Sequence, residues 1–278
     1  MEAIKDLAIT LKVVPYDERD RIITAITGNH GKVTVIAKNS IQSRRFGGAL
    51  DLFTASEWSY SEKPGSDLGL LKEAQVRRSF DGVKKDFSRL SLGSFFAEIV
   101  MRIAPSSAPC PELFKLLANA LAAVEEYEDP DWNLKILNLF IAKLLQWSGV
   151  QPALLNCLSC GYDLRMLAAQ EGSRITALIS EGGWICGNCH KDSHRHLNEP
   201  RKVELEPRSL IALALVLPVP LRKAIQEFQP TKDEMQTLFT YLEGLLYFHV
   251  PGLDQSPLKS AEFIGLKSND SLLTNRFQ

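Results

Sequence analysis

Along the first eighty residues, apolar positions alternate or run in short blocks between turn-forming residues. AITLKVV, Ala8 to Val14, is apolar and β-branched, the composition of a strand. RIITAIT, Arg21 to Thr27, follows the turn-like PYDERD. In GKVTVIA, Gly31 to Ala37, the residues Val33, Val35 and Ala37 alternate with Thr34 and Ile36, the period of two that lines one strand face. Leu52 to Tyr60 and Gly69 to Phe80 complete the set, with Gly, Pro, Asn and Asp between the segments. Five short strands in this length predict a small barrel. The five-stranded version suited to single-stranded nucleic acid is the OB-fold.

The period changes after Gly82. Val83, Phe87, Leu90, Ser94, Ala97, Met101 and Ala104 recur at helical spacing up to Pro105. A second helix, Pro111 to Tyr127, opens with Pro and carries Glu112 in its first turn, both favourable there. A third, DWNLKILNLFIAKLLQWSG, has only a narrow polar stripe of Lys135, Asn138, Lys143 and Gln146, which predicts a central, mostly buried helix ending at Gly149. Residues 150–206 show little helical period. Helices resume with RSLIALALVL and LRKAIQEF, and Thr231 with Glu234 forms a capping-box signature for the last one.

The expected class is therefore α+β and multidomain: an N-terminal five-stranded OB-fold barrel, an α-helical domain and an inserted four-cysteine zinc module. The boundaries read as 1–82 for the barrel, 83–150 and 207–267 for the two parts of the helical domain, 151–206 for the module, and 268–278 for a polar, loose tail.

Composition narrows the function only slightly. The 278 residues are 45% hydrophobic and 23% charged, with a formal net charge of −1, so a nucleic-acid role must rest on local clusters. The longest apolar run, Leu210 to Leu217, is cut by Pro218 and is too short to span a bilayer. The N-terminus lacks the layout of a secretion signal. These features predict a cytoplasmic protein without a membrane partner.

Cysteine spacing is the strongest chemical signal. Cys157 and Cys160, then Cys186 and Cys189, form two Cys-x-x-Cys pairs, which in a reducing compartment point to metal. Two thiolates three positions apart can hold one ion within a tight turn, and a second pair closes a tetrahedron. The expectation is one structural Zn²⁺, with Gly161 and Gly187 helping both knuckles turn and the insert holding a hairpin or short helix. Four thiolates would close the shell, whereas catalytic zinc keeps an open position. His190, His194 and His196 lie beside the second pair as substitute ligands or solvated surface residues, and Cys110 reads as a structural bystander.

Catalytic motifs are missing. GNHGKV, Gly28 to Val33, superficially resembles a P-loop, but Val33 stands where Ser or Thr must hold Mg²⁺, so it reads as a turn between strands. No Gly-x-Ser-x-Gly elbow, His-Glu-x-x-His or deaminase signature is present, and no enzyme is predicted. Basic residues do cluster: Lys32, Lys38, Arg44 and Arg45 occur with no carboxylate between Gly31 and Leu50, and Arg77, Arg78, Lys84 and Lys85 follow. Beside Phe46, Trp58 and Tyr60 they could track a phosphate backbone while bases stack. A solvated charged face is the alternative.

Several of these stretches together resemble the bacterial RecO recombination-mediator family. The resemblance rests on YDERDRI, HGKVTVIAKN, SRRFGGALDLF, DPDWNLKILNLFIAKLLQWSG, the two cysteine pairs and the closing LKSAEFI, collinear from Leu11 to about Ile264. Asn39 and Asp51 depart from the family pattern, and Asp51 puts a negative charge near the proposed DNA path. The resemblance implies an OB-fold, a helical domain and a zinc module. It also implies binding of single- and double-stranded DNA, strand annealing in recombinational DNA repair, a nucleoid-associated location, and partnership with RecR. It further implies engagement of the acidic C-terminal tail of single-stranded-DNA-binding protein, so that RecA loads on coated strands. Such a tail needs an apolar groove rimmed by cations, for which Lys135 or Lys143 is a candidate. Lys32, Lys38, Arg44 and Arg45 are the leading phosphate contacts, with Arg77 and Arg78 second. Two other readings stay open: an interaction scaffold with an OB-like barrel and no significant DNA affinity, and a zinc-dependent hydrolase or deaminase.

Overall fold

A computed structural model describes residues 3–41, 44–62, 65–126, 128, 131–169, 172–192, 201–253 and 256–264. The chain divides into two compact units, Met1–Glu126 and Tyr127–Gln278.

In the first unit, β1 (Ile4–Tyr16), β2 (Asp20–Thr27), β3 (Gly31–Ala37), β4 (Thr54–Ser61) and β5 (Leu68–Ser79) form a closed barrel in the order β1-β2-β3-β5-β4. β3 and β5 pair in parallel, whereas the other pairings are antiparallel. This is the OB-fold architecture expected from the five apolar segments.

The alternation in β3 sets its register. Val33, Val35 and Ala37 are buried while Lys32, Thr34 and Ile36 are half-buried, and a one-residue slip would turn the apolar set outward. Ala8, Ile23, Ala25, Trp58, Tyr60 and Leu71 join them in one core cluster. Phe46 and Leu50 reach the same core from a 3-10 helix, Arg44–Leu50, between β3 and β4. Gly47 interrupts that helix at φ 50°, ψ −138°, a conformation that glycine alone adopts readily.

The fourth strand begins at Thr54, not at Leu52. Phe53 instead takes a left-handed conformation, φ 59°. Its amide donates to the Thr10 carbonyl at 3.1 Å and its carbonyl accepts from Phe80 N at 3.1 Å.

Two helices complete this unit. α1 (Phe87–Ile103) starts at Asp86, whose side chain accepts from Arg89 N, and runs up to the Pro105 boundary. α2 (Pro111–Glu126) packs against it. The sequence pattern assigns both helices to a separate helical domain. Gly31 lets the chain after α1 approach the β2–β3 turn: a Cβ there would lie 2.2 Å from the Pro105 carbonyl oxygen. Lys32 N donates to that oxygen at 2.7 Å.

The second unit is built on α3 (Trp132–Trp147), most of which is buried, as its narrow polar stripe predicted. Asn138, fully buried, donates through Nδ2 to the Leu134 and Met235 carbonyls. A three-stranded antiparallel sheet follows, ordered β7 (Gly183–Ile185), β6 (Ile175–Leu178), β8 (Lys202–Leu205). The short helices α4 (Leu164–Ala168) and α5 (Gly187–Asp192) flank the hairpin of β6 and β7. The remaining helices are α6 (Pro207–Val216), α7 (Leu221–Glu227) and α8 (Lys232–His249). The capping box of α8 is formed: Glu234 N donates to Thr231 Oγ1 and Thr231 N to Glu234 Oε2. The polar tail from Ser268 lies outside the described residues.

Candidate metal centre and nucleic-acid interface

The four predicted cysteines meet. One sulfur from each of Cys157, Cys160, Cys186 and Cys189 lies within 4.8 Å of the others, a group that could hold a metal ion. The first knuckle is a tight turn: Gly161 N donates to the Cys157 carbonyl and Cys157 N to the Tyr162 carbonyl, both at 2.9 Å, with Gly161 at φ +71°. The second pair is delivered differently. β7 runs into Cys186, and Gly187 opens α5, which carries Cys189. Gly187 is not among the glycines of positive φ, so its expected turning role gives way to a helical start. Helical geometry also brings residues three apart to one face.

The sulfur chemistry fits a shared cation. Burial pushes the Cys157 thiol up, but backbone amides of Cys160, Cys186 and Ser159 outweigh it and bring the group to about 7. The Cys186 and Cys160 thiols push Cys189 up to about 12. Without a cation, thiols this close compete for one negative charge. His190 lies beside the cluster with Nε2 buried and without a hydrogen-bond partner among the described residues; His194 and His196 fall outside the described residues. Cys110 is buried in the first unit, where its thiol donates to the Thr27 carbonyl at 3.6 Å and burial raises its pKa.

The predicted phosphate contacts are dispersed over the first unit, and most are occupied. Lys32 Nζ donates to the Met101 carbonyl at 3.0 Å, near the end of α1, where a cation suits the helix dipole. Lys38 pairs with Asp20 at 2.7 Å, and this contact holds the Asp20 carboxyl below its ordinary range. Arg77 pairs with Glu57. Arg78 reaches Glu125 at 3.4 Å and Glu126 at 3.8 Å, and lies over the Phe80 ring. Arg44 begins the 3-10 helix, but its side chain lies outside the described residues. Arg45 is exposed, stacks over Phe46 and donates to the Lys72 carbonyl.

Arg45 and Arg77 do come together. With Lys5 they line a cleft of about 390 Å³ on the barrel surface, facing Glu57 and Glu73. Lys5 was missed from sequence. Its signal was the exposed position beside buried Asp6 at the start of β1. The aromatics expected to stack bases are a correction: Phe46, Trp58 and Tyr60 are 4%, 0% and 0% exposed. Trp58 and Tyr60 occupy the inward positions of β4, so the barrel core uses them. GNHGKV supplies the turn between β2 and β3, Gly28 to His30, and the first three residues of β3. Buried Asp6 holds it, accepting from Asn29 N, Asn29 Nδ2 and, at 2.7 Å, His30 Nδ1.

In the second unit, Lys135 is buried and donates to Gln229 Oε1 at 3.3 Å. Lys143 Nζ donates to the Leu217 and Val219 carbonyls at 3.0 and 2.6 Å, and burial holds its pKa below the usual lysine range. Leu217 also lines an apolar groove of about 210 Å³, with Leu145, Val150, Leu154, Leu213 and Leu242.

Fold and site thus define an OB-barrel protein with a four-cysteine module and cations along the barrel surface. The family model described as "Recombination protein O N terminal" matches residues 1–80, and that described as "Recombination protein O C terminal" matches residues 84–258. The chain belongs to the recombination protein O family, a family of DNA repair proteins. It is 32% identical over 214 residues to "DNA repair protein RecO" of Anaeromyxobacter dehalogenans (strain 2CP-C), covering 77% of this chain and 78% of the relative. Proteins of the same name from Rhodopirellula baltica and Geobacter metallireducens are 31% and 32% identical, over 69% and 68% of this chain and 68% and 73% of theirs. Among the described residues, no helix is long and apolar enough to cross a membrane.

Proposed function

We propose that this protein binds single- and double-stranded DNA and anneals complementary strands in recombinational repair. In this reading it acts with RecR to help RecA load on strands coated by single-stranded-DNA-binding protein. The carrying observation is that models for both halves of the family match in order along a chain whose OB barrel bears a cation-lined cleft. Phosphates neutralised by lysine and arginine release counterions, so binding weakens steeply with salt. Annealing then needs no nucleotide hydrolysis: neutralising two backbones lets them approach.

Lys32, Lys38, Arg44, Arg45, Arg77 and Arg78 stay the proposed phosphate contacts. Arg45 and Arg77, joined by Lys5, are placed first because they share one cleft. The pairing of Lys38, Arg77 and Arg78 with carboxylates means that phosphate must displace or outcompete those partners. The groove beside Leu217 and Lys143 is the proposed seat of the acidic, apolar-ended tail of single-stranded-DNA-binding protein.

The ion proposed for the cysteine cluster is one structural Zn²⁺. A tetrahedron with metal–sulfur distances of about 2.3 Å has sulfur–sulfur edges of about 3.8 Å, and Cys160 and Cys186 lie 3.8 Å apart. Zinc would clamp the first knuckle to the end of β7 and the start of α5, a folding role. The proposed domain reading keeps the module at 151–206, between the helical segments, and the protein in the cytoplasm with the nucleoid. The test is an annealing assay on complementary oligonucleotides, bare and coated with single-stranded-DNA-binding protein. Acceleration on both supports the reading; no acceleration on either overturns it.

A further inference from the structure

Annealing requires two strands at once, and the barrel cleft gives a place for one. The second unit carries another cleft, of about 400 Å³, at the end of its three-stranded sheet. The antiparallel register Ile175↔Leu205 brings Arg174, one residue before β6, opposite Glu206, one residue after β8. Arg208 follows two residues later, in the first turn of α6. Arg174, Glu206 and Arg208 are all exposed and all line this cleft, with Ser173, Ala168 and Pro207.

Other cations of the second unit are paired: Arg165 is held by Asp163, and Lys223 by Glu227. Arg174 and Arg208 make no ion pair or hydrogen bond among the described residues, although Glu206 lines the same cleft. Two guanidinium groups whose donors are free among the described residues offer paired N–H groups that match phosphate oxygens. The apolar part of the lining is Ala168 and Pro207, too little to anchor a peptide side chain, which favours a phosphodiester over an acidic peptide.

We propose that the cleft of Ser173, Arg174 and Arg208 is a second phosphodiester-binding site, which takes a DNA strand while the barrel cleft holds another. Glu206 sits at this site as a charge that limits its affinity. The inference rests on the DNA-binding reading above.

The test compares the full wild-type chain with Arg174→Gln/Arg208→Gln and with Glu206→Gln, using a labelled single-stranded oligonucleotide titrated at several salt concentrations. All three positions are exposed, so thermal melts should coincide. Loss of two phosphate contacts should lower the slope of log affinity against log salt by about 1.4, since each contact on a single strand contributes about 0.7. Glu206→Gln should raise affinity, and annealing by the double variant should fall more than its binding of one strand. Wild-type binding that the double variant matches in slope and annealing rate would overturn this site and leave the DNA reading standing. Wild-type chain that binds no DNA would overturn both. Binding of an oligoglutamate peptide that depends on the two arginines, with the DNA slope unchanged, would also overturn the assignment.

Discussion

Removing a carboxylate from the barrel should strengthen DNA binding. Glu57 lies on β4, where its Oε2 accepts from Arg77 Nε at 3.0 Å and also from Arg77 Nη2. Arg77, then Lys5, hold its carboxyl below the ordinary range, so it is ionised at neutral pH. The cleft is lined by three cations, Lys5, Arg45 and Arg77, and two carboxylates, Glu57 and Glu73. A phosphate entering it competes with Glu57 for Arg77. Glu57→Gln keeps the shape, removes one negative charge and frees the guanidinium. One additional phosphate contact steepens the salt dependence by about 0.7 on single-stranded DNA, so between 50 and 200 mM salt the variant should lose about threefold more affinity than wild type. At 50 mM it should bind severalfold tighter. Both quantities come from one fluorescence anisotropy series, with thermal melts to show an unchanged fold. An affinity at 50 mM equal to or below that of wild type, with an unchanged slope, would refute the placement of DNA in this cleft.

Other consequences follow from close packing. Gly31→Ala puts a Cβ 2.2 Å from the Pro105 carbonyl oxygen at φ +68°; left-handed strain and overpacking together should cost about 3 kcal/mol, read by denaturant unfolding. Gly244→Ala gains about 1 kcal/mol in helix propensity. Its Cβ meets Ile179 Cδ1 at 2.3 Å, and overpacking of about 1–3 kcal/mol should win; adding Ile179→Val should recover part of the loss, and a stabilised single variant would contradict this. Lys143→Met strands the Leu217 and Val219 carbonyls and should cost about 1–3 kcal/mol, seen as a lower thermal midpoint. Elemental analysis should find one zinc per chain. Cobalt substitution should give the charge-transfer bands of a four-thiolate site, and Cys157→Ser should abolish them and reduce soluble yield.

The barrel was legible because its strands bury one face: the alternation of Val33, Val35 and Ala37 survives folding unchanged. The same logic, carried to β4, places Trp58 and Tyr60 on the core face with Ser56, so the stacking role assigned to them was readable as wrong. The 3-10 helix at Arg44–Leu50 was hidden because seven residues with a paired glycine show no period. The cysteine cluster was legible because spacing alone brings each pair together. What joins the two pairs, a hairpin on one side and a helix start on the other, depends on sheet pairing. Charge pairing was least visible: Asp20, Glu57 and Glu125 neutralise Lys38, Arg77 and Arg78 across 18, 20 and 47 residues. Closure of the barrel through the parallel pairing of β3 and β5 is likewise long-range.

In the proposed function this chain itself binds DNA by neutralising phosphates. The most direct test is an equilibrium titration of a labelled single-stranded oligonucleotide with the wild-type protein across about 50 to 200 mM salt. Phosphate neutralisation gives saturable binding at the low-salt end, with an affinity whose logarithm falls linearly with the logarithm of salt, the slope reporting several phosphate contacts. No binding at low salt, or binding insensitive to salt, would contradict it.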